Sequence, residues 1–205
     1  GLGDDIAVAG EAERIGEEKI ARFRHLIEPL APLASPLAEK NPPAVFVLSP
    51  PRSGSTLLRV MLGGHPRLFA PPELELLSFN TLGERRSAFS GRDSFWLEGV
   101  IRAVMEIRGC GAEEARAFVE GCEDRNLTTL QFYRLLQEEL GDRVLVDKTP
   151  SYALDLAILR RAEESFRGAR YVHLVRHPYG MIRSFEEAKL DQIFFRREHP
   201  FSRRE

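Results

Sequence analysis

An arginine, three hydroxyl residues and a glycine stand side by side in Arg52-Ser53-Gly54-Ser55-Thr56-Leu57, directly after Pro50-Pro51. Residues of these types suit one task, the holding of a phosphate. The apolar, β-branched run Ala44–Leu48 precedes them and reads as a strand, and the segment they open reads as a helix. Backbone N–H groups at a helix start are unpaired and point outward, and the helix dipole favours an anion there. Ser53, Ser55 and Thr56 add hydroxyl donors, Gly54 lets the backbone approach closely, Arg52 brings a fixed positive charge, and Leu57 belongs to the same turn. A Walker A loop requires G-x-x-x-x-G-K-[ST], with a lysine before the Ser/Thr. Here the loop is shorter and the cation precedes the glycine, so a P-loop kinase or NTPase of the usual kind is the least favoured reading. An ordinary Ser/Gly turn between a strand and a helix meets the same pattern.

A second set of candidates lies in Val175-Arg176-His177-Pro178-Tyr179-Gly180-Met181-Ile182-Arg183-Ser184. Pro178 suits the first turn of a helix. Arg176 at a strand end and Ser184 two turns into that helix can converge on a second phosphate, the arginine as a bidentate fork and the serine as a directional donor. A surface arginine and a helix-face serine would look the same.

These groups need a scaffold, and the chain reads as alternating α/β with a parallel central sheet, a P-loop-like three-layer fold carrying a helical insert. Ala44–Leu48, Arg143–Asp147 and Ala169–Val175 are the expected strands, rich in Val and Leu as strands buried on both faces are. The helical insert runs from about Leu74 to Leu140, with Thr128 and Gln131 forming a capping-box pattern. Parallel sheets bind ligands at the carboxyl ends of their strands. Four groups fall there: the Arg52 loop, Asp147-Lys148-Thr149-Pro150, Arg176-His177-Pro178, and the Pro71-Pro72-Glu73 turn after the first helix. Residues 1–43 read separately, as an amphipathic helix over Glu11–Ile27 and a linker punctuated by Pro29, Pro32, Pro36, Pro42 and Pro43, which suits a tether inside a larger polypeptide or, equally, an N-terminal helix packed on its own domain. Residues 44–205 are the expected folded domain, of a length that suits one core.

Composition narrows the class. A formal net charge of −2 gives no bulk basicity for nucleic-acid binding. No apolar run approaches the roughly 18 residues that span a bilayer, and a signal-peptide pattern is missing, which implies a cytoplasmic protein. Cys110 and Cys122 lack redox or zinc spacing and read as reduced thiols, with a disulfide the minor alternative. No His or carboxylate cluster has metal-ligand spacing.

Taken together, P-x-S-G-[ST]-[ST] after one strand, and an arginine and serine eight positions apart after another, resemble the sulfotransferase family. The resemblance implies 3′-phosphoadenosine-5′-phosphosulfate (PAPS) as donor, its 5′-phosphosulfate gripped by Arg52, Ser53, Gly54, Ser55 and Thr56 and its 3′-phosphate by Arg176 and Ser184. Arginine at position 52 is more like the tyrosylprotein sulfotransferases, which carry a catalytic-base glutamate shortly after an H-P pair. Here His65-Pro66 is followed by Glu73, with Glu75 the runner-up base and His65 ranked lower as a helix cap. A helix-cap or first-turn charge is the competing role for Glu73. Lys148 would stabilise charge on the leaving oxygen, and a Lys148–Asp147 surface pair is its competing role. No metal is implied.

The runs Pro71–Leu77, Val146–Leu154 and Val172–Tyr179 are similar to sulfotransferase domains embedded in modular polyketide synthases. That subfamily implies an acyl carrier protein bearing a β-hydroxyacyl chain as partner. Sulfation makes the hydroxyl a leaving group, and a following thioesterase domain hydrolyses and decarboxylates the chain to a terminal alkene. Phe79, Trp96 and Phe132 are candidates for an acyl pocket, although aromatics there also serve as plain core. The later Gly-rich nucleotide loop of the family has no counterpart after Ser184, so the sequence reads as the N-terminal part of such a domain. A carbohydrate or peptide sulfotransferase, and a nucleotide-binding or docking module without catalysis, are the alternatives.

Overall fold

The computed structural model describes residue 34 and residues 38–188. The expected N-terminal helix and most of the proline-rich linker lie outside them. Where the linker ends it is tied to the fold: Asn41 is fully buried, its N–H donates to Ser165 O (2.7 Å), and Gln137 Nε2 donates to Pro42 O and Pro43 O.

Ala44–Leu48 forms β1, as its β-branched, apolar residues demand. It pairs on one side with β3 (Val144–Asp147) and on the other with β4 (Arg170–His173), while β2 (Leu68–Phe69) pairs with the far side of β3. The order is β2-β3-β1-β4 and every pairing is parallel. The strand β2 is two residues long, too short to register as a periodic signal. Its register places Leu68 beside Val144, and Val144 N–H donates to Arg67 O. The Pro71-Pro72-Glu73 turn therefore leaves a strand of its own and not the first helix directly. The expectation of strands buried on both faces holds for β1 and β3 but not for β4. In β4, Arg170, Tyr171 and His173 are exposed and only Val172 is half-buried, and the strand is shorter than the expected 169–175.

Helices flank this sheet. Ser55–Gly63 (α1) follows β1, and Leu156–Ser165 (α6) and Pro178–Glu187 (α7) follow β3 and β4. The insert consists of α2 (Leu82–Ala88), α3 (Glu98–Arg108), α4 (Ala112–Asp124) and α5 (Thr129–Leu140). The capping box forms as expected, Thr128 Oγ1 accepting from Gln131 N–H and Gln131 Oε1 from Thr128 N–H. Cys110 and Cys122 are free thiols. No helix among the described residues is long and apolar enough to cross a membrane.

The insert does not begin at Leu74. Residues 70–80 have no regular structure, and Glu75 is left-handed (φ 49°), which stops a helix there. Yet Leu74, Leu76 and Leu77 are completely buried. Buried backbone must be hydrogen-bonded, and here side chains do it. Arg85 Nε donates to Leu74 O (3.0 Å) and Glu75 O (3.2 Å), and its Nη2 donates to Trp96 O (2.8 Å). Tyr152 Oη accepts from the N–H groups of Leu76 (2.9 Å) and Leu77 (3.2 Å). Arg161 Nη1 donates to Leu77 O and Phe79 O, and Thr129 Oγ1 donates to Phe79 O. Arg85 and Arg161 are buried among these carbonyls. Replacing Arg85 by Met should therefore lower stability by roughly 3 kcal/mol, since three carbonyls lose their donor. Urea denaturation measures it, and a loss below about 1 kcal/mol would show that the carbonyls find other partners.

Candidate functional site

The Arg52 loop is built by two left-handed residues. Gly54 (φ 91°) is the N-cap of α1, and Arg52 (φ 66°) holds a conformation unusual for a residue with a side chain. Between them the chain doubles inward. The first helical bond is Leu58 N–H to Gly54 O, so the N–H groups of Ser55, Thr56 and Leu57 have no helical carbonyl. A Cβ on Gly54 would meet nothing within 4 Å, so the glycine serves conformation and not space.

The strain at Arg52 is held from α7 and from the segment just ahead of it. Arg176 Nη1 donates to Arg52 O (2.9 Å), and Arg52 Nε donates to Ser184 Oγ (3.0 Å). Arg52, Arg176 and Ser184 are thus one cluster, joined across the β1–β4 pairing. The Arg176 side chain lies over Gly180, where a Cβ would stand 3.4 Å from its Nε. Ser53 is buried against Met181, its Oγ 3.3 Å from Sδ. Pro178 occupies the first turn of α7, and His177 caps it, Nδ1 accepting from Tyr179 N–H.

Glu73 and Lys148 form an ion pair. Lys148 is buried, immediately beyond β3, and Glu73 is half-buried. Glu73 lies outside any helix, so it is neither a cap nor a first-turn charge. Asp147 is fully buried on the other side of the strand, so no Lys148–Asp147 surface pair exists. The Glu73 backbone rests on Gly99 in the first turn of α3, where a Cβ would stand 1.8 Å from Glu73 O. Arg59 of α1 donates to Ala70 O (2.8 Å), linking the helix behind the Arg52 loop to the segment that carries Glu73. The two clusters occupy the same carboxyl edge, on adjacent strands.

Glu75 is placed differently from Glu73. It is buried and accepts from Ser151 Oγ (2.8 Å). Burial pushes its carboxyl up to about 7, the Ser151 bond opposing and the nearby Asp147 and Glu73 charges adding. His65 is exposed and caps its own turn, accepting from Arg67 N–H. Of the aromatic candidates, Phe132 is fully buried, while Phe79 and Trp96 are half-buried and meet on Phe89, at ring distances of 5.3 and 6.2 Å. No group of His, Cys, Asp or Glu that could hold a metal occurs among the described residues.

Sequence reasoning missed Gly99, Arg59, Arg85 and Tyr152. Gly99, a glycine among good helix formers, is the one with a readable signal.

A family model described as "Sulfotransferase family" matches residues 43–201. Two solved structures are similar. The sulfotransferase domain from the Synechococcus PCC 7002 olefin synthase is 44% identical with a TM-score of 0.74, over 78% of this chain and 58% of that one. The sulfotransferase domain from the curacin biosynthetic pathway is 43% identical with a TM-score of 0.72, over 78% and 56%. A curated relative, nodulation protein NoeE of Sinorhizobium fredii, is 28% identical over 145 residues, which is 69% of this chain and 30% of that protein. The chain thus spans less than two thirds of each.

Two substitutions probe this geometry. Gly99→Ala drives a methyl into the Glu73 carbonyl and should lower the thermal midpoint by about 4–8 °C, a change of roughly 2 kcal/mol. Glu75→Gln should flatten the pH dependence of stability. A carboxyl raised from 4.5 to about 7 in the folded state contributes stability below pH 4.5 that is lost as pH rises through 7. The neutral amide escapes that loss, so the variant should match the parent near pH 4.5 and exceed it by ~3 kcal/mol at pH 8. Parallel denaturation curves at both pH values would place Glu75 outside the titration.

Proposed function

The chain belongs to the sulfotransferase family, and from that membership we propose that it moves a sulfuryl group from PAPS to a hydroxyl, the β-hydroxyl of an acyl chain on an acyl carrier protein. The observation that carries the reading is the Glu73–Lys148 pair at the sheet edge shared with the Arg52 cluster.

The residues fit the donor. Three unpaired N–H groups at the start of α1, the left-handed Gly54 and the hydroxyls of Ser53, Ser55 and Thr56 suit a 5′-phosphosulfate. Arg176 and Ser184 suit the 3′-phosphate. Glu73 takes the proton of the acceptor hydroxyl as its oxygen bonds to sulfur, and its partial exposure leaves room for that hydroxyl. The bond from sulfur to the bridging oxygen breaks, and Lys148 and Arg52 stabilise the charge that collects there. Glu75 is buried and already bonded to Ser151, so an acceptor hydroxyl reaches it less readily than it reaches Glu73.

The acceptor class is supported by the similarity to the olefin synthase and curacin-pathway sulfotransferase domains, which exceeds the similarity to the nodulation protein. Sulfation would convert the hydroxyl to a leaving group, and a thioesterase domain would then release the chain with decarboxylation to a terminal alkene. A cytoplasmic setting accompanies that partner.

Glu73→Gln should reduce kcat by about 10²-fold or more with PAPS and a β-hydroxyacyl carrier protein. It should leave calorimetric binding of the product nucleotide, 3′-phosphoadenosine-5′-phosphate, within about twofold. Arg176→Ala should weaken that binding at least about tenfold. Full turnover by the glutamine variant would remove Glu73 as the base, and equal affinity for ADP would remove the donor assignment.

A further inference from the structure

Asp147 and Lys148 are consecutive, so the end of β3 sends their side chains to opposite sides. Lys148 meets Glu73. Asp147 goes inward, where it is fully buried. Its Oδ2 accepts from the hydroxyls of Tyr133 and Tyr152, the latter at 3.1 Å, and its Oδ1 accepts from Thr149 Oγ1 (2.8 Å). Tyr152 Oη also accepts the Leu76 and Leu77 N–H groups. A phenolic oxygen has two lone pairs and one proton. Both lone pairs of Tyr152 are therefore committed to the backbone, and its proton is left for Asp147 or for Tyr133, 3.1 Å away. The carboxylate is the terminal acceptor of both tyrosine protons. It is held by three hydroxyl donors from α5 and from the turn after β3, and it orients the group that pins the backbone a few residues beyond Glu73.

We propose that Asp147 is a positioning residue for sulfuryl transfer: through Tyr152 it fixes the Leu76–Leu77 backbone, and with it the placement of Glu73 against Lys148. This rests on the reading of Glu73 as the base. One strand end then supplies both members of the arrangement, the cation directly and the anchor of the carboxylate indirectly.

The test is Asp147→Asn, alone and combined with Glu73→Gln, assayed with PAPS and a β-hydroxyacyl carrier protein. The amide keeps the shape but replaces one acceptor oxygen by a donor, so either the two tyrosine protons that share Oδ2 or the Thr149 proton at Oδ1 loses its acceptor. The single variant should lose about 10- to 100-fold in kcat. The KM for PAPS and affinity for 3′-phosphoadenosine-5′-phosphate should stay within about twofold, a split that general unfolding would not produce. Amide exchange at Leu76 and Leu77 should accelerate at least about tenfold in Asp147→Asn, a readout independent of turnover. The double variant should be no slower than Glu73→Gln alone, within about twofold. Multiplying losses in the double variant, unchanged kcat in the single one, or unchanged exchange would each overturn the proposal while leaving Glu73 as base. Full activity of Glu73→Gln would instead remove the base, and the positioning role with it. If Asp147→Asn does not fold, Tyr133→Phe removes one donor to the same carboxylate. It should show the same non-additivity with a loss of about 3- to 10-fold, and additivity there would count against the idea equally.

Discussion

A buried stretch of backbone without helix or sheet must find hydrogen-bond partners elsewhere, and residues 70–80 are such a stretch. Two buried arginines, a tyrosine and two threonines are spent on it. Arginines are rarely buried, because desolvating a guanidinium is costly, and burial lowers the pKa of both Arg85 and Arg161. Their placement makes sense as a scaffold for carbonyls that no ladder can reach. What the scaffold secures is a short irregular segment that enters the site from the edge strand β2 and carries Glu73 at its near end.

The other half of the site obeys a different constraint. Around Arg52 the difficulty is conformational: two left-handed residues within a three-residue turn, one of them bearing a long side chain. Such backbone costs on the order of 1–3 kcal/mol and persists only when its surroundings over-determine it. Here they do, because Arg176 captures the carbonyl of Arg52 and Ser184 captures its guanidinium. Charged groups that would meet a phosphate are thus also the groups that hold the loop in shape. The two halves communicate through covalent neighbours on the sheet and through Arg59, which joins α1 to Ala70.

Much of this was legible from local chemistry. The strand at Ala44–Leu48, the turn and helix after it, the proline opening α7 and the capping box at Thr128 each follow from a few adjacent residues. The convergence of Arg52, Arg176 and Ser184 on one edge followed from parallel topology. What escaped depends on residues far apart in the chain. Two-residue β2 carries no period. The stretch from Leu74 to Leu77 reads as a helix start because its apolar spacing permits one, and only Tyr152 and Arg85 reveal the alternative. The exposure of β4 sets it apart from β2, the other edge strand, and composition does not record it. Glu73 and Glu75 look equivalent in sequence, yet one lies against Lys148 and the other is sealed beneath Ser151.

Helix α7 has no fully buried residue, and Tyr179 and Ile182 along it, like Val175 ahead of it, are largely exposed. Its half-buried side includes Met181, Ser184 and Phe185, and Ser184 together with Arg176 ahead of the helix ties it to the Arg52 loop. A helix with no fully buried side chain is expected to open at a lower free energy than buried strands such as β1 and β3. Any anion gripped jointly by Arg52, Arg176 and Ser184 engages only while α7 is docked, so occupancy and helix order are linked quantities. Any opening of α7 would discount the grip of the site by the fraction of molecules opened, and tightening that helix would sharpen affinity without altering a single ligand contact.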